Sequence, residues 1–262
     1  MHQTTVLLHV DPRGVATVTL NRAELHNAID DETASLLTAT LETLADDDSV
    51  RVVVLTGSGI SFSAGHDSDW MRHMASFSEA ELRHHAQQLS RLLRTLDTLP
   101  KPTIARIPGS AFGLGAGLVA CCDIAIGASE ALFSFSDVKL GVIPALSAPY
   151  VVRAIGPRAA RRYFVSAERF NAGKAKRLGL LHQVVELDEL DSAVEHCASH
   201  LLINGPNAMR AAKQLIALID SRELDDDLLE DTIDAIVKVR ASEEGREGIH
   251  AFLEQRKPNW LD

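Results

Sequence analysis

A chain of 262 residues, 46% of them apolar, can fill a sizeable core, which excludes a disordered or fibrous protein. The formal net charge of -10, with no block of Lys and Arg long enough to follow a phosphate backbone, argues against nucleic acid as a partner. The start Met1-His2-Gln3-Thr4-Thr5 lacks a basic segment and an apolar segment, and no run of about 18 apolar residues occurs, so a cytoplasmic chain without membrane contact is expected.

Residues 6–10 and 15–20 flank Asp11-Pro12-Arg13-Gly14, where Pro presets φ and Gly accepts positive φ, so a hairpin is predicted. Leu37, Leu41 and Leu44 then recur at helical spacing behind Asp30 and Asp31, which can cap a helix start, and Asp46-Asp47-Asp48 closes it. The run 50–56 has a β-branched centre, Val52-Val53-Val54-Leu55, bounded by Gly57 and Gly59, and reads as a buried strand. Ser78 followed by Glu81 is a helix start, and Leu82, Leu89, Leu92, Leu93 and Leu96 give a long amphipathic helix stopped by Pro100 and Pro102. His84-His85 falls on that helix and is expected to be exposed.

Residues 103–107 form a further strand closed by Pro108-Gly109, and 118–122 are apolar all round, as in a buried helix. The three cysteines make neither a disulfide framework nor a metal spacing; Cys121 and Cys122 fit as small core residues of that helix. Short strands at 125–128, 132–135 and 184–186 complete an α/β core. Beyond it, 193–203, 206–219, 224–243 and 247–255 all read as helices, broken at Asn204-Gly205 and at Gly245. Two regions follow, an α/β core at 1–200 and a helical region at 201–262.

Two glycine-bearing stretches carry the chemistry. Phe62-Ser63-Ala64-Gly65-His66-Asp67 turns beside a strand end, and Gly113-Leu114-Gly115-Ala116-Gly117 opens directly into the buried helix. Amides in a helix's first turn have no intrahelical partner, and the macrodipole makes that end electropositive. Together the stretches can present two backbone N–H groups to one carbonyl oxygen, the geometry of an oxyanion hole.

Five stretches in order resemble the crotonase superfamily, the enoyl-CoA hydratases and isomerases, over nearly the whole chain. Leu20-Asn21-Arg22-Ala23-Glu24-Leu25-His26-Asn27-Ala28 resembles the first coenzyme A loop, and 62–67 the Ala-Gly-x-Asp oxyanion segment. Residues 109–123 resemble the second oxyanion segment and its helix. Asp137-Val138-Lys139-Leu140-Gly141-Val142-Ile143-Pro144 resembles the acidic segment Glu-x-x-Leu-Gly-x-x-Pro, and 251–260 the closing helix. Residues 121–126, 140–145, 149–156 and 159–164 look most like methylglutaconyl-CoA hydratases. The resemblance implies a spiral of repeated ββα units, a C-terminal helical oligomerisation region, and a homo-trimer or dimer of trimers; coverage of its own core is the other role open to that tail.

It also implies an acyl-CoA thioester as substrate, with no separate cofactor and no metal. The oxyanion amides would be those of His66 and Leu114, and Asp137 would be the catalytic carboxylate. Arg22, Leu25, Ala64, Gly65, His66 and Asp67 would border the coenzyme, Ala64 offering its carbonyl to the adenine amino group. Arg72, Arg256 and Lys257 are further cations for an anionic ligand, or plain surface charges. Trp70 and Met71 either line an acyl pocket or pack. The His66 imidazole, near Asp67 and Asp69, is an acid or base near neutral pH, or else a solvated or hydrogen-bonded side chain. His66, Asp67, Asp69 and His73 match no familiar metal-ligand pattern.

The chain departs from the hydratase pattern at two places. Gly117 stands where the helix normally carries one Glu, and Asp137 is shorter than the second Glu by a methylene, about 1.5 Å of reach. Leu25 and Gln255 stand where relatives often have Lys. Hydration with Asp137 as base is the favoured outcome. Double-bond isomerisation with one carboxylate, and an acyl-CoA binder of little turnover in which Asp137 merely caps backbone amides, are the alternatives.

Overall fold

The computed structural model describes residues 4–220 and 222–261; of the start read for a leader, residues 1–3 lie outside the described residues. In chain order the strands and helices are β1 (Val6–Val10), β2 (Val15–Leu20), α1 (Asp31–Asp46), β3 (Val52–Gly57), β4 (Ser61–Ser63), α2 (Ser68–Met74) and α3 (Glu79–Asp97). Next come β5 (Thr103–Ile107), β6 (Ser110–Phe112), α4 (Leu114–Cys121), β7 (Ile124–Ala128), β8 (Leu132–Ser134), α5 (Ala148–Ser166), β9 (Phe170–Asn171), α6 (Ala172–Leu178) and β10 (Gln183–Val185). The chain then continues as α7 (Leu190–Leu202), α8 (Pro206–Ile219), α9 (Asp226–Ala241) and α10 (Glu243–Leu253).

Three successive turns have the same plan. A strand in the larger sheet (β3, β5, β7) leads to a short strand in the smaller sheet (β4, β6, β8), and helices return the chain to the start of the next turn. Equivalent strands of neighbouring turns pair in parallel, β3 with β5 and β5 with β7, β4 with β6 and β6 with β8. The result is the ββα spiral that the resemblance implies. The β1–β2 hairpin lies antiparallel on one edge of the larger sheet, and β2 joins β3 in parallel.

At β3 both faces of the larger sheet are covered, which is why this strand reads as an unbroken apolar run. All six of its residues are buried. Because side chains alternate along a strand, Val53 and Leu55 join one cluster with Leu37 and Leu41 of α1, Leu89, Leu92, Leu93 and Leu96 of α3, and Leu118 and Val119 of α4. Val52 and Val54 point the other way, to Ile104, Ile126 and the α7 residues Leu190, Val194 and Ala198. Each fully buried aliphatic side chain contributes about 1.5–3 kcal/mol. The expected caps are present: Asp30 accepts from the Thr33 amide, and Ser78 and Glu81 form a reciprocal capping box.

Two expectations are corrected. Gly245 does not break the tail helices; the break is at Ser242, which ends α9 and caps α10 by accepting from the Gly245 amide. A Cβ on residue 245 would lie 2.2 Å from the Val239 carbonyl oxygen, so glycine is required by the closeness of that turn. His85 is the second correction. It lies only 7% exposed, at the site described next.

Candidate active site

The segment after β4 is laid against the loop that precedes α1. The Ala64 amide donates to the His26 carbonyl (2.8 Å), Ile29 donates to Gly65 (2.7 Å) and Asp67 donates to Ile29 (3.1 Å). In a parallel bridge the residue facing the partner bonds through its neighbours' groups, so the N–H of His66 itself points away from Ile29. Buried Asn27 locks the arrangement from behind, its Nδ2 donating to the Ser58 and Ser61 carbonyls at 2.8 Å each. Ser63 Oγ donates to the Asn27 carbonyl (2.8 Å) and accepts the Gly65 amide (3.1 Å).

The second segment meets the first at Gly65. A Cβ there would lie 2.8 Å from the Phe112 carbonyl oxygen and 3.4 Å from the Leu114 nitrogen, and the φ of +89° is left-handed. Only glycine brings the strand this close to the start of α4. Leu114 is the first residue of α4, so its amide has no intrahelical partner. Among the described residues, neither the His66 nor the Leu114 amide donates a hydrogen bond. The structure thus places two unused main-chain donors on either side of one glycine. Asp67, next in sequence, caps α2 through the Asp69 and Trp70 amides (2.9 and 3.0 Å) and pairs with Arg22 at 3.0 Å. Burial alone would raise its pKa, but those amides and Arg22 outweigh it and hold the carboxyl below its ordinary value.

Asp137 opens the short helical turn Asp137–Leu140 after β8. Its Oδ2 is buried and has no partner among the described residues, so that oxygen caps no backbone amide there. The His66 Nδ1 is likewise buried and unpartnered. His66 is therefore neither solvated nor hydrogen-bonded at that atom. Burial pushes its pKa below the ordinary imidazole value, the Asp137 carboxylate pulls the other way, and His85 adds to the depression.

Around His66 stand Trp70, roughly parallel at 6.2 Å between ring centroids, and His85 at 6.4 Å. Asp31 fixes both. Its Oδ1 accepts from His85 Nδ1 (2.6 Å) and its Oδ2 from Trp70 Nε1 (2.9 Å), while the two rings pack at 3.9 Å. With Nδ1 donating, the neutral His85 ring carries its lone pair on Nε2, which is buried without a partner. Burial depresses the His85 pKa and Asp31 opposes it. Sequence reading missed this arrangement, yet a signal exists: His85 lies four residues before Leu89 and seven before Leu92, on the apolar stripe of α3.

Gly117 is closed to any side chain. A Cβ there would lie 2.6 Å from Ser147 Cβ, and Ser147 is itself buried. No second carboxylate projects from α4. Of the other anticipated residues, Leu25 is exposed, and exposed Ala64 has a carbonyl that accepts no hydrogen bond among the described residues. Arg22 is not a free cation: it pairs with Asp30 (2.9 Å) and Asp67 and donates to the Ala28 carbonyl. Arg72 pairs with Asp69, and Arg256 with Glu247 and Glu254. No group of three or more side chains able to hold a metal is found among the described residues.

Comparison with known proteins shows the family. A family model for enoyl-CoA hydratase/isomerase matches residues 11–262. The chain belongs to that family, within the crotonase superfamily. It is 32% identical to a crotonyl-CoA hydratase of Syntrophomonas wolfei, with 94% of each chain covered. It is 31% identical to a short-chain-enoyl-CoA hydratase of Clostridium acetobutylicum, over 93% of this chain and 92% of that one. The crystal structure of an enoyl-CoA hydratase from Shewanella pealeana superposes with a TM-score of 0.95 at 40% identity, covering 98% of this chain and 96% of the other.

Proposed function

We propose that the protein is an enoyl-CoA hydratase, adding water across the double bond of an α,β-unsaturated acyl-CoA thioester. The observation that supports this reading is the pair of unused amides, that of Leu114 packed against Gly65 and that of His66 next to Gly65 in sequence, in a structure where Asp137 Oδ2 is also buried without a partner. As water bonds to the β-carbon, negative charge collects on the thioester oxygen, where two preorganised donors stabilise it. Asp137 handles the proton that finally reaches the α-carbon. Coenzyme A enters as part of the substrate. Ala64, with its carbonyl available, and Leu25 would border it, while Arg22 shapes the loop through Asp30 and Asp67 rather than gripping a phosphate.

The same reading takes residues 1–200 as the catalytic core and 201–262 as a region that packs between subunits of a trimer or a dimer of trimers. What supports it is the apolar surface of the tail: Ile233, Ile236 and Val237 are each about half exposed on one stretch of α9.

Enoyl-CoA turnover tests the function. Purified protein is expected to deplete the ultraviolet absorbance of crotonyl-CoA or a branched analogue and to incorporate oxygen from labelled water, and Asp137→Asn is expected to abolish both. Inertness toward every enoyl-CoA ester at high enzyme concentration would refute it. The closed position at Gly117 favours one rival, a double-bond isomerase working with a single carboxylate. Deuterium uptake without added oxygen would identify that rival.

A further inference from the structure

Gly117 has no room for a carboxylate, so a second group that handles water must come from elsewhere in the site. His66 is the residue whose own amide is one of the two free donors, so on the hydratase reading its imidazole belongs to the same residue that would hold the thioester oxygen. The ring nitrogen Nδ1 is buried and unpartnered, as is Asp137 Oδ2. A buried nitrogen and a buried carboxylate oxygen with no protein partner are costly unless something polar comes to them. The ring is also held in place. Trp70 and His85 flank it at 6.2 and 6.4 Å, and both are tied to Asp31.

We propose that the His66 imidazole is the base that takes the proton from the attacking water and passes it to Asp137, replacing the carboxylate absent at Gly117. This rests on the hydratase reading above. The neutral ring carries its hydrogen on Nε2 and accepts at Nδ1. Water's oxygen forms a bond to the β-carbon while one of its O–H bonds breaks, the proton going to the Nδ1 lone pair. The π electrons of the double bond move toward the thioester oxygen, held by the His66 and Leu114 amides. His66 Nδ1 and Asp137 Oδ2 are not hydrogen-bonded to each other, so the imidazolium gives its proton to Asp137 through one bridging water, which takes it on one side and releases one on the other. The carboxylic acid delivers it to the α-carbon as the enolate pair forms the new C–H bond. Both groups end as they began, and one water has been added.

The groups that set this ring's protonation come from three elements. Asp137 on the turn after β8 favours the imidazolium, His85 on α3 disfavours it, and Asp31 on α1 orients His85. Burial keeps His66 neutral to below the ordinary imidazole value, so the base is in its working form at neutral pH.

The test uses the whole chain with crotonyl-CoA, comparing the wild type with His66→Ala, His66→Gln and Asp137→Asn between about pH 5 and 9. Both His66 variants keep the main-chain N–H. The wild-type kcat/KM is expected to fall on the acid side with a midpoint below the ordinary imidazole value of about 6.5. His66→Ala and His66→Gln are expected to lower kcat about 100-fold, leave KM within about 3-fold, and lose that acid limb. Activity within about 3-fold of wild type with an unchanged pH profile would overturn the proposal. Should these variants fail to fold by thermal melting, His66→Asn takes their place, and activity within about 3-fold of wild type overturns the proposal equally. If the wild type hydrates and Asp137→Asn is dead while His66→Ala is active, only this inference falls. If the wild type is inert, the hydratase reading falls with it.

Discussion

A methyl group on residue 65 would sit 2.8 Å from the Phe112 carbonyl oxygen and 3.4 Å from the Leu114 nitrogen, on a backbone at φ +89°. Forcing an L side chain there costs about 1–3 kcal/mol of backbone strain and pushes β4 away from the start of α4. Gly65→Ala is therefore expected to lower kcat about 100-fold, with the larger loss in turnover rather than in coenzyme A affinity measured by calorimetry. At residue 117 the steric argument concerns space alone. Gly117→Ala presses a methyl to 2.6 Å from Ser147 Cβ and is expected to destabilise the chain by about 1–3 kcal/mol in urea titration. In a Ser147→Gly background the same change is expected to cost less than half as much, because the opposing Cβ is gone. Gly117 was legible as a missing carboxylate; that it is closed by Ser147 was not, since the two are 30 positions apart and only the approach of α4 to the start of α5 makes them neighbours.

Helix α3 was legible at both ends and along most of its face, although Leu82, read with the stripe, is exposed. Ser78 with Glu81 gives the capping box, Leu89, Leu92, Leu93 and Leu96 give the buried stripe, and Pro100 follows the end. Ser78→Ala is expected to cost about 1 kcal/mol, read as a shift of the urea midpoint at constant slope. His85 lay on the same stripe, and the expectation of an exposed histidine ignored that periodicity. A polar residue on an apolar face needs a buried partner, and the partner here is Asp31, 54 positions earlier in the first turn of α1. The break between α9 and α10 was misplaced for a related reason. Gly245 looks like a helix stop, whereas Ser242 is the cap and glycine is there because α9's last turn passes too close for a side chain.

On the scale of the whole molecule, the α/β core buries the central strand β3 on both faces, but α8 has no buried residue and α9 and α10 have one each, Leu228 and Ala251. Apolar residues are left outward on these helices, among them Ile233, Ile236 and Val237, and Leu140, Val142 and Ile143 are exposed on the segment that follows Asp137. If the tail packs between subunits, Ile233→Asp with Val237→Asp is expected to reduce the mass measured by light scattering to that of one chain. An unchanged mass, or a monomeric wild type, would rule that packing out.

The sequence by itself determined the α/β class, the hairpin, the capped helices, the buried β3 run and the two glycine segments, because each depends on neighbours within about a dozen positions: periodicity, caps and turn residues. Ordered motifs along the chain also sufficed to point to the family. Only the tertiary structure decided which atoms are left without partners. Whether the amides of His66 and Leu114 are left without partners, whether Arg22 is free or spent on Asp30 and Asp67, and whether His66 Nδ1, His85 Nε2 and Asp137 Oδ2 are buried unpaired all depend on which segments the three stacked turns bring together. Hydrogen bonding is a property of pairs, and those pairs are distant in the chain.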